Sequence, residues 1–250
     1  ALFPSFSEAR ASLGAVTEAL LQNPQSEHAK RALVNILKEN NSAQFTDEQI
    51  HAHVLTFLLA GHETTALLLA WCWDMLAHHP EVQMKMQAEV DSVLGERFPT
   101  SDDIQKLSYT RMIVKETLRI RPPVWAMGRQ AIHDCEIGGQ HIPAGSTVLM
   151  SQWVTHHDSR FYNEPLLFRP ERWSGLEEHS LPRYAFFPFG GGNRICIGEH
   201  FAMTEAITIL AMIARRWNIA PTQTNLAKLK PSATLRPDKS VKLIITRRVV

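Results

Sequence analysis

A mainly α-helical fold with small β-sheets follows from three features of this 250-residue chain. One apolar run, IHAHVLTFLLAGHETTALLLAWCWDMLAHH, fills residues 50–79 at helical length. Two further helical patterns, PEVQMKMQAEVDSVLG and SYTRMIVKETLRI, are cut at proline and glycine. β-type runs are short and come late, around Gly138-Gly139 and Pro143-Ala144-Gly145 and in the tail VKLIITRR.

Each element has a local cause. Up to about Asn40 the pattern is helical, with a break near Asn23-Pro24. Thr46, with Gln49 three residues on, reads as a capping box that starts the long helix. Pro80 ends that helix and opens the next, which Gly95 stops. Val54 to Trp73 has the length and few charges of a membrane span. His62, Glu63, Thr64 and Thr65 in its middle would be costly in lipid, so a core helix of a soluble protein is expected instead. Ser101-Asp102-Asp103 caps a short helix, and Ser108 begins one that Pro122-Pro123 halts. CEIGGQHIPAGSTVLMSQW reads as hairpin strands. From His156 to Phe187 the chain is rich in Pro, Arg and aromatics without periodicity, a loop long enough to suggest function. EHFAMTEAITILAMIARRW is an amphipathic helix, and the tail forms a terminal strand.

Composition narrows the class of partner. Hydrophobic residues are 44% and charged residues 20%, a globular balance, and 26 basic against 25 acidic side chains give no basis for nucleic-acid binding. Three widely spaced cysteines, Cys72, Cys135 and Cys196, suggest a reducing compartment rather than a disulfide framework. The chain opens on ALFPSFSEAR without Met or a signal pattern, so a processed or truncated start is expected.

The stretch FPFGGGNRICIG, residues 187–198, carries the chemistry. It lacks the Gly-Lys-Ser/Thr ending of a phosphate loop and the spacing of a dinucleotide fingerprint. Cys196 and His200 could share a zinc, but no second Cys/His pair stands beside them. A nucleophilic cysteine would need a histidine partner that the sequence does not identify, and an inert buried one leaves the glycines and Arg194 unexplained. A haem-thiolate ligand accounts for all of them. A cysteine just before a helix start has its anion favoured by the helix dipole and free N–H groups. Glycines let main chain approach a flat macrocycle, and Arg194 offers a cation to a propionate.

The pattern Phe189-x-x-Gly192-x-Arg194-x-Cys196-x-Gly198 resembles the haem-binding signature of the cytochrome P-450 superfamily, and Phe201-Ala202 and Glu205 look like its continuation. Ala60-Gly61-His62-Glu63-Thr64-Thr65 resembles the family's oxygen-activation segment, in which a threonine bonded back to the carbonyl four residues earlier opens the helix. Glu116-Thr117-Leu118-Arg119 resembles its Glu-x-x-Arg motif, and Pro170-Glu171-Arg172-Trp173 its partner segment, where Phe more often stands in place of Trp173. Arg129 falls where many members place a second propionate-binding arginine.

The resemblance, from about Thr46 to the end, implies the C-terminal portion of the P-450 fold, with a long central helix and a cysteine-ligand loop. Residues 1–45 would be trailing helices of an N-terminal half not in this chain, and residues 46–250 the haem-binding portion of one domain. It implies haem b, with iron held by Cys196, proton delivery through Thr64 and Glu63, propionate contacts from Arg194 and Arg129, and a cofactor surface made with Ala60, Phe189, Gly192 and Gly198. Glu116, Arg119 and Arg172 would form a bracing network without a catalytic role. The implied activity is a monooxygenase that uses dioxygen to hydroxylate or epoxidise a hydrophobic small molecule, with electrons from a ferredoxin or flavoprotein reductase. Arg183 is a candidate docking residue for that donor. Substrate contacts would come from Phe57, Ala60, Gly61 and Thr65, from Val124-Trp125-Ala126-Met127 and from Ser232-Ala233-Thr234. A thiolate-haem peroxygenase or isomerase, and a non-enzymatic fragment unable to hold haem alone, are the rival readings. A soluble cytoplasmic protein is expected, with membrane association only through a segment not in this chain.

Overall fold

The computed structural model describes Ala15 and residues 45–248. Expectations for the segment before Phe45, the break at Asn23-Pro24 included, therefore lie outside the described residues, Ala15 apart. The chain divides into two compact units, Ala1–Glu63 and Thr64–Val250. Helix α1, Asp47–His78, begins in the first and ends in the second.

Its start is the expected capping box: the Thr46 N–H donates to Gln49 Oε1 at 2.9 Å and the Gln49 N–H to Thr46 Oγ1 at 3.2 Å. Residues 47–78 are long and apolar enough to cross a membrane by length and composition alone. In the second unit, however, α1 is buried at Thr65, Leu68 and throughout Trp71–Ala77, as in a globular core. Pro80 opens α2, Pro80–Leu94, and Gly95 ends it with φ +54°, where its N–H returns to the Asp91 carbonyl.

The short helix α3, Ser101–Lys106, is capped one residue earlier than the sequence suggests. Thr100 is the cap, and Asp103 at the third position closes the box, taking the Thr100 N–H at 2.8 Å. Asp103 also takes two bonds from Arg97, at 2.5 and 2.8 Å, which hold its carboxyl well below the usual carboxylate range. Helix α4, Ser108–Ile120, follows, with Glu89 of α2 accepting the Tyr109 and Thr110 N–H groups at its start, at 2.6 and 2.9 Å.

Beyond Pro122-Pro123 come β1 (Met127–Gln130), β2 (Cys135–Ile137), β3 (Gln140–Ile142) and β4 (Thr147–Met150). β2 and β3 form the expected hairpin, turned by Gly138 and Gly139 at φ +58° and +77°. β1 escaped the sequence reading because its pattern, MGRQ, has no alternation; it pairs antiparallel with β4, Arg129 opposite Val148. One helical turn, α5 (Gln152–His156), leads into the irregular segment, which contains a 3₁₀ turn at Pro170–Trp173 and a short helix α6, Leu176–Ser180.

Helix α7, Glu199–Ala214, stops three residues short of Trp217. Arg248 caps that end: its guanidinium bonds the Ala214 and Arg215 carbonyls at 2.9 and 3.1 Å while paired with Asp91 at 2.6 Å. Trp217 then opens β5, Trp217–Pro221, which pairs with β8, Leu243–Arg247. A small hairpin, β6 (Leu229–Pro231) with β7 (Leu235–Pro237), lies between them. The core of the second unit joins the end of α1 (Leu76), α2 (Met86, Val90), α4 (Ile113, Val114) and α7 (Ile207, Leu210).

Candidate active site

The cysteine loop is shaped by its own main chain. The Gly190 N–H donates to the Phe187 carbonyl at 2.9 Å, and the Cys196 N–H to the Phe189 carbonyl at 2.9 Å. Gly190 and Gly192 take φ of +76° and +67°, a region that other residues enter at a cost. A Cβ on Gly190 would lie 3.3 Å from Met127 Cε, so β1 packs directly on the loop. A Cβ on Gly192 would meet nothing within 4 Å, leaving open space at that glycine.

Cys196 is a free, exposed thiol two residues before Gly198, the N-cap of α7. A Cβ on Gly198 would stand 3.8 Å from its sulfur. The first turn of a sixteen-residue helix leaves N–H groups without intrahelical acceptors and favours an anion there. Around the thiol, Ile195, Ile197 and Phe201 are 56%, 84% and 71% exposed. Arg194 and Arg129 are both exposed, and the Arg129 guanidinium donates to the neighbouring Gly128 carbonyl at 2.8 Å. Phe189 is half-buried and packs on the core. Clefts of about 390 and 430 Å³ flank the loop, both touching Phe189 and Glu199.

A buried ionic cluster stands behind this loop. Glu116 takes Arg119 Nε and a terminal Arg119 nitrogen at 2.9 and 2.8 Å, Arg172 Nε at 2.9 Å, the Trp173 indole N–H at 2.9 Å and the Arg169 N–H at 3.0 Å. The two guanidiniums use their remaining donors on the irregular segment: Arg119 on His156 and Pro165 carbonyls at 2.8 and 2.6 Å, Arg172 on Asn163 and Glu164 carbonyls at 3.2 and 3.3 Å. Both sit over the Tyr162 ring, 5.0 and 6.0 Å from its centre, and the Tyr162 hydroxyl donates to the Ala185 carbonyl at 3.0 Å. The irregular segment is thus ordered by charge and carbonyl pairing, carried as far as the entrance of the cysteine loop.

Two of the expected substrate segments also meet. Trp125 donates its indole N–H to the Ser232 carbonyl at 2.8 Å, and the Leu235 N–H bonds the Pro123 carbonyl at 2.8 Å. Ala60 and Glu63 fall in the first unit and Thr64 opens the second; all three are engaged in contacts. Cys72 is wholly buried, and burial pushes its thiol up to about 12. Sequence reasoning missed His156, a fully buried histidine whose Nε2 accepts the Phe187 N–H at 3.0 Å. A histidine in an aperiodic stretch carries no signal of this kind.

Comparison with known proteins identifies the family. The cytochrome P450 family model matches residues 7–245. The chain belongs to the cytochrome P450 family. Relatives of this P450 include the cyclooctatin synthase of Streptomyces melanosporofaciens, 39% identical over 82% of this chain and 44% of the relative. The same organism's cyclooctat-9-en-7-ol 5-monooxygenase is 42% identical over 70% of this chain and 38% of its own length. The pentalenene oxygenase of Streptomyces avermitilis is 33% identical over 89% of the chain and 47% of the relative. The chain spans about half the length of the curated relatives it matches.

The family implies haem, and the residues present fit it. An exposed thiol at a helix start, an apolar rim of Ile195, Ile197 and Phe201, open space at Gly192 and exposed guanidiniums suit a flat apolar macrocycle with an anionic edge. Among the described residues no group of three or more His, Cys, Asp or Glu side chains could hold a bare metal ion instead.

Proposed function

We propose that this chain carries the haem-binding part of a monooxygenase that inserts oxygen into a hydrophobic small molecule. The observation that carries the reading is the exposed Cys196 thiol at the start of α7, in a glycine-shaped loop braced by the Glu116 cluster. When bound, haem supplies the activation of dioxygen.

The chain's own residues have distinct tasks. Cys196 would hold the iron as a thiolate, an electron-rich ligand that favours cleavage of the O–O bond. Arg194 and Arg129 would pair with the propionates, and Gly192 and Gly198 would admit main chain close to the ring. Thr64 and Glu63, adjacent in the middle of α1 and half-buried, would hold and pass the protons that oxygen cleavage consumes, with Ala60 opposite Thr64 one turn earlier. Val124, Trp125, Ala126 and Met127, tied to the 232–234 turn, would supply an apolar wall. Apolar lining suits a terpenoid-like skeleton, and relatives named for pentalenene and cyclooctat-9-en-7-ol support that class. Electrons would come from a ferredoxin or flavoprotein reductase.

The test is the reduced carbon monoxide difference spectrum of this polypeptide after haem loading. The expected result is the red-shifted thiolate band, abolished by Cys196→Ser. Persistence of that band in the Ser variant would overturn the ligand assignment, and no haem uptake by the native chain would favour the non-enzymatic reading. Turnover with hydrogen peroxide but none with a reductase system would favour the peroxygenase.

A further inference from the structure

We infer that His156 is a positioning residue for the cysteine loop, setting where the loop begins by accepting the Phe187 N–H at its Nε2. Three observations carry this. The bond is 3.0 Å long, and the ring is fully buried against Phe186 and Phe187, at 5.2 and 5.4 Å between centres. The His156 carbonyl takes Arg119 at 2.8 Å, so the same residue is fastened to the Glu116 cluster on one side and to the loop on the other. The loop transmits that placement: the Phe187 carbonyl closes the turn to Gly190, and two residues on the Phe189 carbonyl holds the Cys196 N–H, each at 2.9 Å.

The geometry dictates the chemistry of the ring. A nitrogen that accepts from an N–H carries no proton, so the neutral ring must bear its hydrogen on Nδ1. That nitrogen is buried and has no hydrogen-bond partner. Charging the ring would put a second hydrogen on Nε2 and turn it against the Phe187 N–H. The charged and titratable neighbours, Arg119 from α4 and His157 from its own helix, also oppose a charge there, in the same direction as burial. A phenylalanine of similar shape would fill the space and deprive the part-buried Phe187 N–H of its acceptor.

The consequence for Cys196 rests on the proposed reading of that thiol as iron ligand; the hydrogen bond itself is tested without haem. In the native chain, nitrogen-15 spectroscopy of His156 is expected to show hydrogen on Nδ1, a coupling across the hydrogen bond to the Phe187 amide, and no protonation between pH 8 and 5. Hydrogen on Nε2, or an imidazolium by pH 6, would overturn the inference even if no variant folds. In folded His156→Phe, exchange of the Phe187 amide should accelerate about tenfold or more, and His156→Gln, which restores an acceptor, should recover most of that protection. Unchanged exchange in folded His156→Phe would also overturn it. On haem loading, the thiolate-ligated fraction should fall in His156→Phe and recover in His156→Gln. Failure of the native chain to bind haem would touch the functional reading alone.

Discussion

Trp173 donates its indole N–H to Glu116 Oε2 at 2.9 Å, the same oxygen that takes Arg119 Nε at 2.9 Å. Substitution to Phe would keep a ring against Phe186, 4.4 Å between ring centres, and near Lys115, while deleting the donor and part of the buried indole volume. Trp173→Phe should therefore lower stability by about 1–3 kcal/mol, since a hydrogen bond to a charged acceptor and some buried ring volume are lost but the arginines still satisfy the carboxylate. A denaturant titration measures it, and an unchanged midpoint would show that the indole contributes nothing beyond what a phenyl ring supplies.

Glu116→Gln is a different matter. Arg119 is 0% and Arg172 3% exposed, and both would keep their charge with no carboxylate between them. Removing one partner from a buried pair costs about 3–5 kcal/mol, so this variant should unfold at much lower denaturant than Trp173→Phe and take up haem poorly. Equal midpoints for the two would contradict the cluster's bracing role.

Acid should weaken the fold partly through His156. Burial, with Arg119 beside it, pushes its imidazole down to about 3. The unfolded chain, titrating near 6.5, binds the proton first, so this contribution is complete above about pH 6.5 and is lost as pH falls toward 3. At pH 5 the loss is on the order of 2 kcal/mol. Comparing native and His156→Gln chains from pH 7 to pH 4.5 isolates it: the native stability should fall more steeply, and parallel curves would refute the assignment.

The three thiols should separate by reactivity. Cys72 lies fully buried with its thiol held up near 12, whereas Cys135 and Cys196 are exposed. Brief alkylation of the native, haem-free chain, followed by mass spectrometry, should label Cys135 and Cys196 and spare Cys72 until denaturant is added. Early labelling of Cys72 would mean that the core around Trp71 and Leu76 opens readily.

Where sequence and structure agree, the signal was local. The Thr46–Gln49 box, the Pro80 boundary, the Gly138-Gly139 turn and the glycine-cysteine loop each depend on residues within a few positions of one another. The elements that escaped are set by partners far along the chain. β1 exists because β4 lies beside it, the end of α7 is capped by Arg248 from 34 residues on, and His156 matters because Phe187 lies 31 residues on. For the Glu116 cluster, motif resemblance supplied what spacing could not: Glu116 and Arg119 three apart look like any surface pair. Trp173, read only as a departure from the family pattern, is a direct partner of Glu116.

The separation of Glu116 from its partners also orders events in time. Its bonds to Arg119 close within one helical turn and can form as soon as α4 does. Those to Arg169, Arg172 and Trp173 span 53, 56 and 57 residues and must wait for that whole stretch to be synthesised and to fold back. Until then one carboxylate is shared with a single guanidinium, and the segment carrying His156 and Tyr162 has only Arg119 to fasten to. The thiol loop and α7 lie further along again, so a ribosome paused just before Trp173 would hold α1, α2 and α4 without the helix that completes their core, and with no place for a cofactor.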